Sequence, residues 1–538
     1  MKFQRQKIKK HTITTECSSF YNPIKYFMFN NNSQKTRFPS LVVNKIAKNI
    51  FKIRQFGKKE LLKHQEDFLF NLIYKCRKTV FGEKYSFRDI KSIKDFQELV
   101  PIFTYKEFQP RVEYMLRGER NIAYPGKIPL FAISSGTTGK KGKYIPLTQE
   151  HLKTSQLRGG EKLLSRYCKE NPKTKLFTGK TIVIGGTFIK NPFTQKNNVG
   201  YITAILQKKT PRIGKIFKKP TSQISFINNR EEKSDKIIDE TLNKNVTGIT
   251  GQPSWCTQFL YNVLEKTGKQ NIHQVWPNFE VFLGGGMSVD LYKDNLKELF
   301  PDPKFKYRQS YNASEGFFAI QNQNDTDDML LLTDNGVFYE FIPREEYGKE
   351  NPQVLTLKDV EKDKDYVLLI TTNAGLRRYV IGDTVKFTAT EPFYKIKISG
   401  RTKYYIDVVG EGTTVEYTEK AIMEACNQTG TIAIDYTVGP IAPKGKEKGA
   451  YERIIEFSKS PKDIKEFENI LDVELQKAFS NYYDERNYNN TLKKLIVHPV
   501  KQGTFQKRLK SKNKVMGQSK IPKLQNNREI IDDILEIL

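Results

Sequence analysis

The sequence predicts a large mixed α/β unit followed by a smaller α+β unit, on three observations. Short apolar stretches rich in β-branched or aromatic residues, Thr181 to Ile184, Val281 to Leu283, Val337 to Ile342 and Tyr366 to Ile370, alternate with helical patterns. Near Ser399-Gly400-Arg401 the texture changes to a shorter series of strands and helices. The length of 538 residues exceeds one ordinary core and suits two or three domains, and 38% hydrophobic content is enough to bury them.

Taken in order, residues 1–40 are basic, almost free of acid and weakly periodic, and read as a mobile extension. An acid-poor leader with Ser and Thr also has the look of a transit peptide, although lysine dominates over arginine here. Around Leu41 to Phe56 apolar residues recur at helical spacing with lysines between them, giving a basic amphipathic helix. Glu60 to Val80 is again helical, and the region through Arg120 reads as a helical cap. The alternating α/β pattern then runs through 398, so that 41–398 form the large unit. Gly284-Gly285-Gly286 reads as a turn where a ligand lies against bare backbone. In the small unit, 399–538, strands are expected at Ile432 to Val438, Tyr451 to Phe457 and Lys494 to Val497. Helices are expected at Asp463 to Asn481 and Asn526 to Leu538.

Composition excludes several classes. No apolar run approaches the ~20 residues of a membrane helix. Cys17, Cys76, Cys168, Cys256 and Cys426 lie far apart, with no Cys-x-x-Cys pair, so a disulfide scaffold or zinc site is not expected and reduced cytosolic thiols are. The formal charge of +30 invites a polyanion-binding reading. Its scatter through a chain rich in Asn and Ile fits an AT-rich coding bias equally, and from Lys501 to Lys523 the tail is basic without an acid. The five histidines, His11, His64, His151, His273 and His498, form no Ser-His-Asp or Cys-His pattern, so covalent hydrolase chemistry has no support.

One run carries chemistry by itself. The apolar Pro129 to Ile133 leads into Ser134-Ser135-Gly136-Thr137-Thr138-Gly139-Lys140-Lys141-Gly142-Lys143. Glycines let backbone approach an anion, hydroxyls and N–H groups donate to phosphate oxygens, and lysines supply charge. The run fits neither the dinucleotide fingerprint nor the Walker loop. Alone, it is equally a plain surface loop.

Two further segments follow, Tyr311-Asn312-Ala313-Ser314-Glu315-Gly316 and Arg377-Arg378-Tyr379-Val380-Ile381-Gly382-Asp383. In this order and separation the three resemble the ATP-gripping motifs of adenylate-forming enzymes. From about Lys45 onward the chain resembles the acyl-acid amido synthetases of the auxin-responsive Gretchen Hagen family, relatives of acyl-coenzyme A synthetases and firefly luciferase. Phe338 to Pro343, the Phe81-Gly82 and Pro101-Ile102 neighbourhoods, and Gln518-Ser519-Lys520-Ile521-Pro522 support it.

The resemblance implies ATP and Mg²⁺, and a role for each residue. Ser134, Ser135, Gly136, Thr137 and Thr138 would hold the leaving phosphates, with Lys143 adding charge, although Lys140 and Gly142 depart from the commoner family forms. Tyr311 would pack beside adenine, Ala313 would belong to the same nucleotide-binding run, Ser314 would stand near the α-phosphate and Glu315 would bind the metal. Read without the resemblance, this run is a helix start capped by Ser314. Asp383 would accept both ribose hydroxyls, as a two-oxygen acceptor can, and Arg401 would contact the ribose from the hinge. Lys520 would swing in with the small unit and stabilise the transferring phosphoryl. Trp255 would line the acyl pocket, or sit in the core. The implied reaction joins a small carboxylic acid to an amino acid or other amine in the cytoplasm, with no stable nucleic-acid partner. Transfer to coenzyme A or a carrier thiol, and non-enzymatic polyanion binding, are the alternatives.

Overall fold

The computed structural model describes residues 57–537, apart from 135–142, 286–292, 325, 403–404, 407, 409–412, 442–447, 488–491, 512–519 and 526. The basic leader, the amphipathic stretch from Leu41 to Phe56, and most of the phosphate turn lie outside the described residues.

The cap opens with α1 (Lys58–Cys76), whose buried Leu61, Gln65, Leu69, Leu72 and Cys76 recur every three or four residues and so share one face. Gln65 is polar in that face because its amide donates to the Val337 carbonyl at 2.9 Å and accepts from the Tyr339 N–H at 3.1 Å. Then come α2 (Val80–Lys84), α3 (Ile93–Leu99) and α4 (Tyr105–Arg117). The Thr79 hydroxyl caps α2, and Ser92 with Asp95 forms a capping box on α3. Gly118, at φ +97°, ends α4 in the left-handed region.

Strands β1 (Leu130–Ile133) and β2 (Tyr144–Leu147) flank the phosphate turn. A continuous helical run follows: α5 (Gln149–His151), a π-helical turn at Leu152–Leu157, and α6 (Arg158–Glu170). Next are β3 (Lys180–Val183), β4 (Phe188–Ile189), β5 (Val199–Gly200), α7 (Ile202–Lys209), β6 (Lys218–Lys219), α8 (Arg230–Thr241), β7 (Val246–Gly251) and α9 (Pro253–Thr267). They are followed by β8 (Val281–Gly285), α10 (Lys293–Leu299), β9 (Lys306–Ala313), β10 (Gly316–Gln321), β11 (Met329–Leu331), β12 (Val337–Pro343) and β13 (Leu355–Thr356). The large unit closes with β14 (Asp365–Thr372), β15 (Tyr379–Ala389) and β16 (Lys395–Arg401).

Among the described residues β1 and β2 join β4 and β5 in a sheet of order β2-β1-β5-β4. The main sheet has twelve strands in the order β13-β12-β14-β15-β16-β11-β10-β9-β8-β7-β3-β6. From β6 to β9 the strands are parallel, joined by crossover helices; from β9 to β13 they are antiparallel. Helices α8, α9 and α10 cover the parallel part over a core of Ile182, Ile237, Ile249, Phe259, Phe282 and Leu299.

The small unit contains β17 (Tyr405–Ile406), β18 (Thr413–Thr414), α11 (Val415–Thr429), β19 (Ile432–Ile441), β20 (Ala450–Lys459), α12 (Ile464–Ala478), α13 (Ser480–Asn487), β21 (Ile496–Lys501), α14 (Thr504–Ser511) and α15 (Glu529–Leu535). One face of β19-β20-β21 buries Tyr436, Ile455 and Val497 with Ile422, Phe467 and Leu471 of α11 and α12. The other buries Ile454 and Val500 with Phe505 of α14 and Ile531 of α15. The expected fold class is the one observed.

Two expectations change. The stretch from Asp463 to Asn481 is two helices, because Phe479 is extended (φ −142°) and stacks on Tyr417 at 4.5 Å. Gly284 and Gly285 belong to β8 instead of a turn, paired with Gln309 and Ser310 of β9. A Cβ at Gly284 would stand 2.3 Å from the Tyr307 hydroxyl, so that glycine answers to a neighbouring strand.

Candidate active site

The site is built on the hairpin between β9 and β10. Gly316 pairs directly with Ala313, leaving Ser314-Glu315 as a two-residue turn. Aromatic and β-branched residues on both sides hold this segment in the sheet, so no helix starts at Ser314. Tyr311 stands edge-on to Phe318, with ring centroids 4.9 Å apart.

The Tyr311 hydroxyl donates to Asp383 Oδ2 at 2.5 Å, with Tyr311 4% and Asp383 6% exposed. In sheet order β15 is four strands from β9, a flat separation of about 19 Å at ~4.8 Å per strand. Direct contact therefore requires the sheet to curl until the end of β9 faces β15. Asp383 lies in β15 inside the irregular stretch between Val380 and Thr384, where pairing with β14 breaks register between Val367 and Leu369. Gly382 takes φ +98° there, a conformation that turns the chain and that side chains resist. The Thr402 N–H donates to the Gly382 carbonyl at 2.8 Å, and Arg401 pairs with Asp383 in the β15–β16 register. The expected ribose-contacting residues are thus neighbours in backbone position.

Behind the hairpin sits a brace that sequence reasoning missed. Gln156 Nε2 donates to the Ala313 carbonyl at 2.9 Å, and the Phe317 N–H donates to Ser155 Oγ at 3.1 Å. Both residues come from the π-helical turn, which widens the helix and presents two adjacent polar side chains to the hairpin. Asn335 Nδ2 bridges the Ser155 and Phe317 carbonyls at 3.0 Å each. The buried His151 ring has Nδ1 2.8 Å from Asn373 Oδ1. Burial pushes the ring's pKa down to about 4, against contacts with Asn373 and the Glu315 backbone that favour its charged form. The sequence signal was a polar Thr154-Ser155-Gln156 run inside a helix.

The phosphate turn meets the hairpin through its neck. The Ser134 N–H donates to the Lys143 carbonyl at 2.9 Å, continuing the β1–β2 ladder past Ile133 and Tyr144. Ser135, Gly136, Thr137 and Thr138 lie outside the described residues. The Lys143 ammonium stands 5.6 Å from the Tyr105 ring centroid, and the Tyr144 N–H donates to the Tyr105 hydroxyl at 2.8 Å. Burial above all pushes the Tyr105 phenol up to about 12, and the charge of Glu315 adds to it.

Lys520 belongs to the small unit. The segment after it docks on β19, with Val438 N–H donating to the Lys523 carbonyl at 2.8 Å and Gln525 N–H to the Val438 carbonyl at 3.0 Å. Arg377 and Arg378 are buried structural groups. Arg377 donates to the Thr372 and Leu376 carbonyls, while Arg378 pairs with Glu340 at 3.1 Å and donates to the Gln97 and Val100 carbonyls. Trp255, at the start of α9, is buried beside a crevice at the carboxyl ends of β3 and β7.

These residues suit a nucleotide. Asp383 offers a buried carboxylate for a diol, and Asn312 Oδ1, next to Tyr311, is buried without a hydrogen-bond partner, an acceptor suited to a ligand N–H. Among the described residues no group of three or more His, Cys, Asp and Glu is placed to hold a metal ion. Mg²⁺ fits the single carboxylate Glu315, since it commonly takes one or two carboxylates and fills its shell with phosphate oxygens and water. No helix among the described residues is long and apolar enough to cross a membrane.

Residues 52–305 match the GH3 family N-terminal domain, 330–401 its central domain and 416–529 its C-terminal domain. Indole-3-acetic acid-amido synthetase GH3.3 of Arabidopsis thaliana is 21% identical over 523 residues, which cover 83% of this chain and 86% of that one. The 4-substituted benzoates-glutamate ligase GH3.12 of Arabidopsis thaliana is 22% identical over 492 residues, with 76% and 83% covered. Among solved structures, the AtGH3.15 acyl acid amido synthetase in complex with 2,4-DB superposes with a TM-score of 0.76 at 16% identity, covering 94% of this chain and 97% of that one. The 2-hydroxyisobutyryl-CoA ligase in its postadenylation state superposes with a TM-score of 0.56 at 11% identity, covering 89% and 91%.

Proposed function

Because the chain belongs to the GH3 family, we propose that it is an ATP-dependent acyl-acid amido synthetase. It activates a carboxylic acid as its acyl-adenylate and passes the acyl group to the amine of an amino acid. The observation that carries this reading is the Tyr311–Asp383 hydrogen bond, which joins two motifs 72 residues apart beside the Ser314-Glu315 turn. The relatives act on an indole acid and on benzoates, and one solved neighbour holds 2,4-DB, so the acid class we propose is aromatic or aryl-substituted.

In this reading a carboxylate oxygen attacks the α-phosphorus and the bond to pyrophosphate breaks. The amine lone pair then attacks the acyl carbon, the bond to AMP breaks, and the amine loses a proton. Two anions must meet in the first step, so compensating charge is obligatory. Lys143 and the Ser134 to Thr138 turn supply it around the phosphates, and Ser314 donates near the reacting phosphorus. Asp383 fixes the ribose, and Tyr311 packs beside adenine while its hydroxyl orients that carboxylate. Arg401 contacts the ribose from the end of β16. Mg²⁺ held by Glu315 supplies charge neutralisation when bound.

The small unit, which follows β16, brings Lys520 to the phosphates for adenylation and then rotates away to admit the amine. Cys76, Cys168, Cys256 and Cys426 are buried thiols outside any disulfide, which fits work in the reducing cytoplasm. ATP–pyrophosphate exchange tests the assignment: wild type exchanges in the presence of its acid, and a folded Asp383→Ala loses the exchange. Equal exchange in both would remove the ribose assignment.

A further inference from the structure

A crevice of about 600 Å³ lies beyond the nucleotide residues, at the carboxyl ends of β3 and β7, between α8, α9 and the small unit's α14. Its floor is apolar, from Ile184, Ile237, Trp255 and Phe259. Two polar groups in its wall have unused hydrogen-bonding capacity. Lys233 is 8% exposed and its ammonium donates to the Gly185 carbonyl at 2.6 Å, leaving further N–H donors, since an ammonium has three. Thr187 is 3% exposed and its hydroxyl has no hydrogen-bond partner. A buried cation and a buried hydroxyl on one wall ask for an anion with oxygen acceptors. Burial pushes the lysine down to about 8, so it is still mostly protonated at neutral pH.

The crevice is also connected to both working parts of the molecule. Thr187 leads into β4, which pairs with β5, and β5 pairs with β1, the strand that enters the phosphate turn. Gln506 of the small unit lines the crevice, and Lys510 on the same helix is ion-paired with Glu231 of α8. Movement of the small unit would therefore change this crevice directly.

We propose that this crevice admits the amine acceptor, and that Lys233 and Thr187 hold the acceptor's carboxylate. The inference rests on the amido synthetase reading and adds to it the place where the second substrate is recognised. The two substrates are told apart by chemistry. The acid's carboxylate is the attacking group in adenylation, and an ammonium gripping it would oppose the attack. The amino acid's carboxylate takes no part in bond formation, so it can be held throughout the reaction. Asp235 also lines the crevice and offers a carboxylate to the ammonium of a zwitterion.

Hydroxylamine supplies the test, because it accepts an acyl group and carries no carboxylate. Wild type, Lys233→Met and Thr187→Val are assayed with one activated acid, using either an amino acid or hydroxylamine as acceptor. The ratio of amino-acid to hydroxylamine turnover is expected to fall at least tenfold in Lys233→Met and severalfold in Thr187→Val. Thr187→Val removes only an unpartnered hydroxyl, so the fold does not depend on it, and it carries the test if Lys233→Met fails to fold. A ratio within twofold of wild type, or a parallel fall of both reactions, overturns the acceptor site. A wild type that forms no hydroxamate with any acid overturns the functional reading itself, and the acceptor site with it.

Discussion

Asp383 is nearly buried, and its carboxylate accepts a hydrogen bond from the Tyr311 hydroxyl. Tyr311→Phe removes that donor alone. We expect a loss of about tenfold in ATP–pyrophosphate exchange, ~1.4 kcal/mol in the barrier, with the melting temperature nearly unchanged; an unaltered rate would make the bond incidental. His151 gives a second residue-level prediction. Its ordinary pKa of 6.5 falls to about 4 in the fold, so the folded state disfavours the proton. Above pH 6.5 there is no penalty; between 6.5 and 4 the unfolded chain binds the proton more readily and stability falls by ~1.4 kcal/mol per pH unit. Urea denaturation of His151→Gln should show a flatter decline over that window than wild type, and equal slopes would contradict this. Motif order singled out Tyr311, Ser314, Glu315 and Asp383 in the sequence, and the structure brings Tyr311 and Asp383 into contact. His151 was not legible in this way, since its partner Asn373 is 222 positions away and no local pattern marks the pair. Arg377 and Arg378 shared a motif with Asp383, yet Arg377 Nη1 donates to the Thr372 and Leu376 carbonyls and Arg378 binds Glu340 and the Gln97 and Val100 carbonyls.

At the scale of elements, the π-helical turn and the hairpin act as one unit. Gly159, one turn beyond, lets the helix approach closely: a Cβ there would stand 2.2 Å from the Phe317 ring. Gly159→Ala must push the hairpin strand aside, at a cost of about 1–3 kcal/mol, and we expect pyrophosphate exchange to fall with it because Phe317 follows the Ser314-Glu315 turn. A variant as stable and as active as wild type would show that the hairpin is not held from behind. Strand positions were readable: the stretches from Val337 to Ile342 and from Tyr366 to Ile370 lie within β12 and β14. The hairpin was not separable from a capped helix start by local residues, because Ser and Glu serve both; the pairing of Gly316 with Ala313 decides it. Gly284 and Gly285 misled for a related reason, since close strand packing against Tyr307 and Ser310 calls for the same residue as a ligand turn.

Across the whole molecule, the fold class was legible from alternation and length, whereas the curl that sets Tyr311 against Asp383 was not, because it sums small twists over many strands. Lys520 sits on the small unit, anchored through the segment that docks on β19. Lys520→Ala should lose adenylation while still turning over preformed acyl-adenylate; equal damage to both half reactions would rule out a lysine that arrives only for the first. The charge of +30 predicts salt-sensitive association with polyanions as a bulk property, separate from catalysis. The central claim, that this chain adenylates a carboxylic acid, is tested most directly by ATP-dependent hydroxamate formation over a panel of aryl, indole, fatty and keto acids, with Asp383→Ala as control. Hydroxamate from one acid class, lost in the variant, is the predicted result; silence across the panel from folded protein with ATP and Mg²⁺, or signal that persists in Asp383→Ala, would contradict the account.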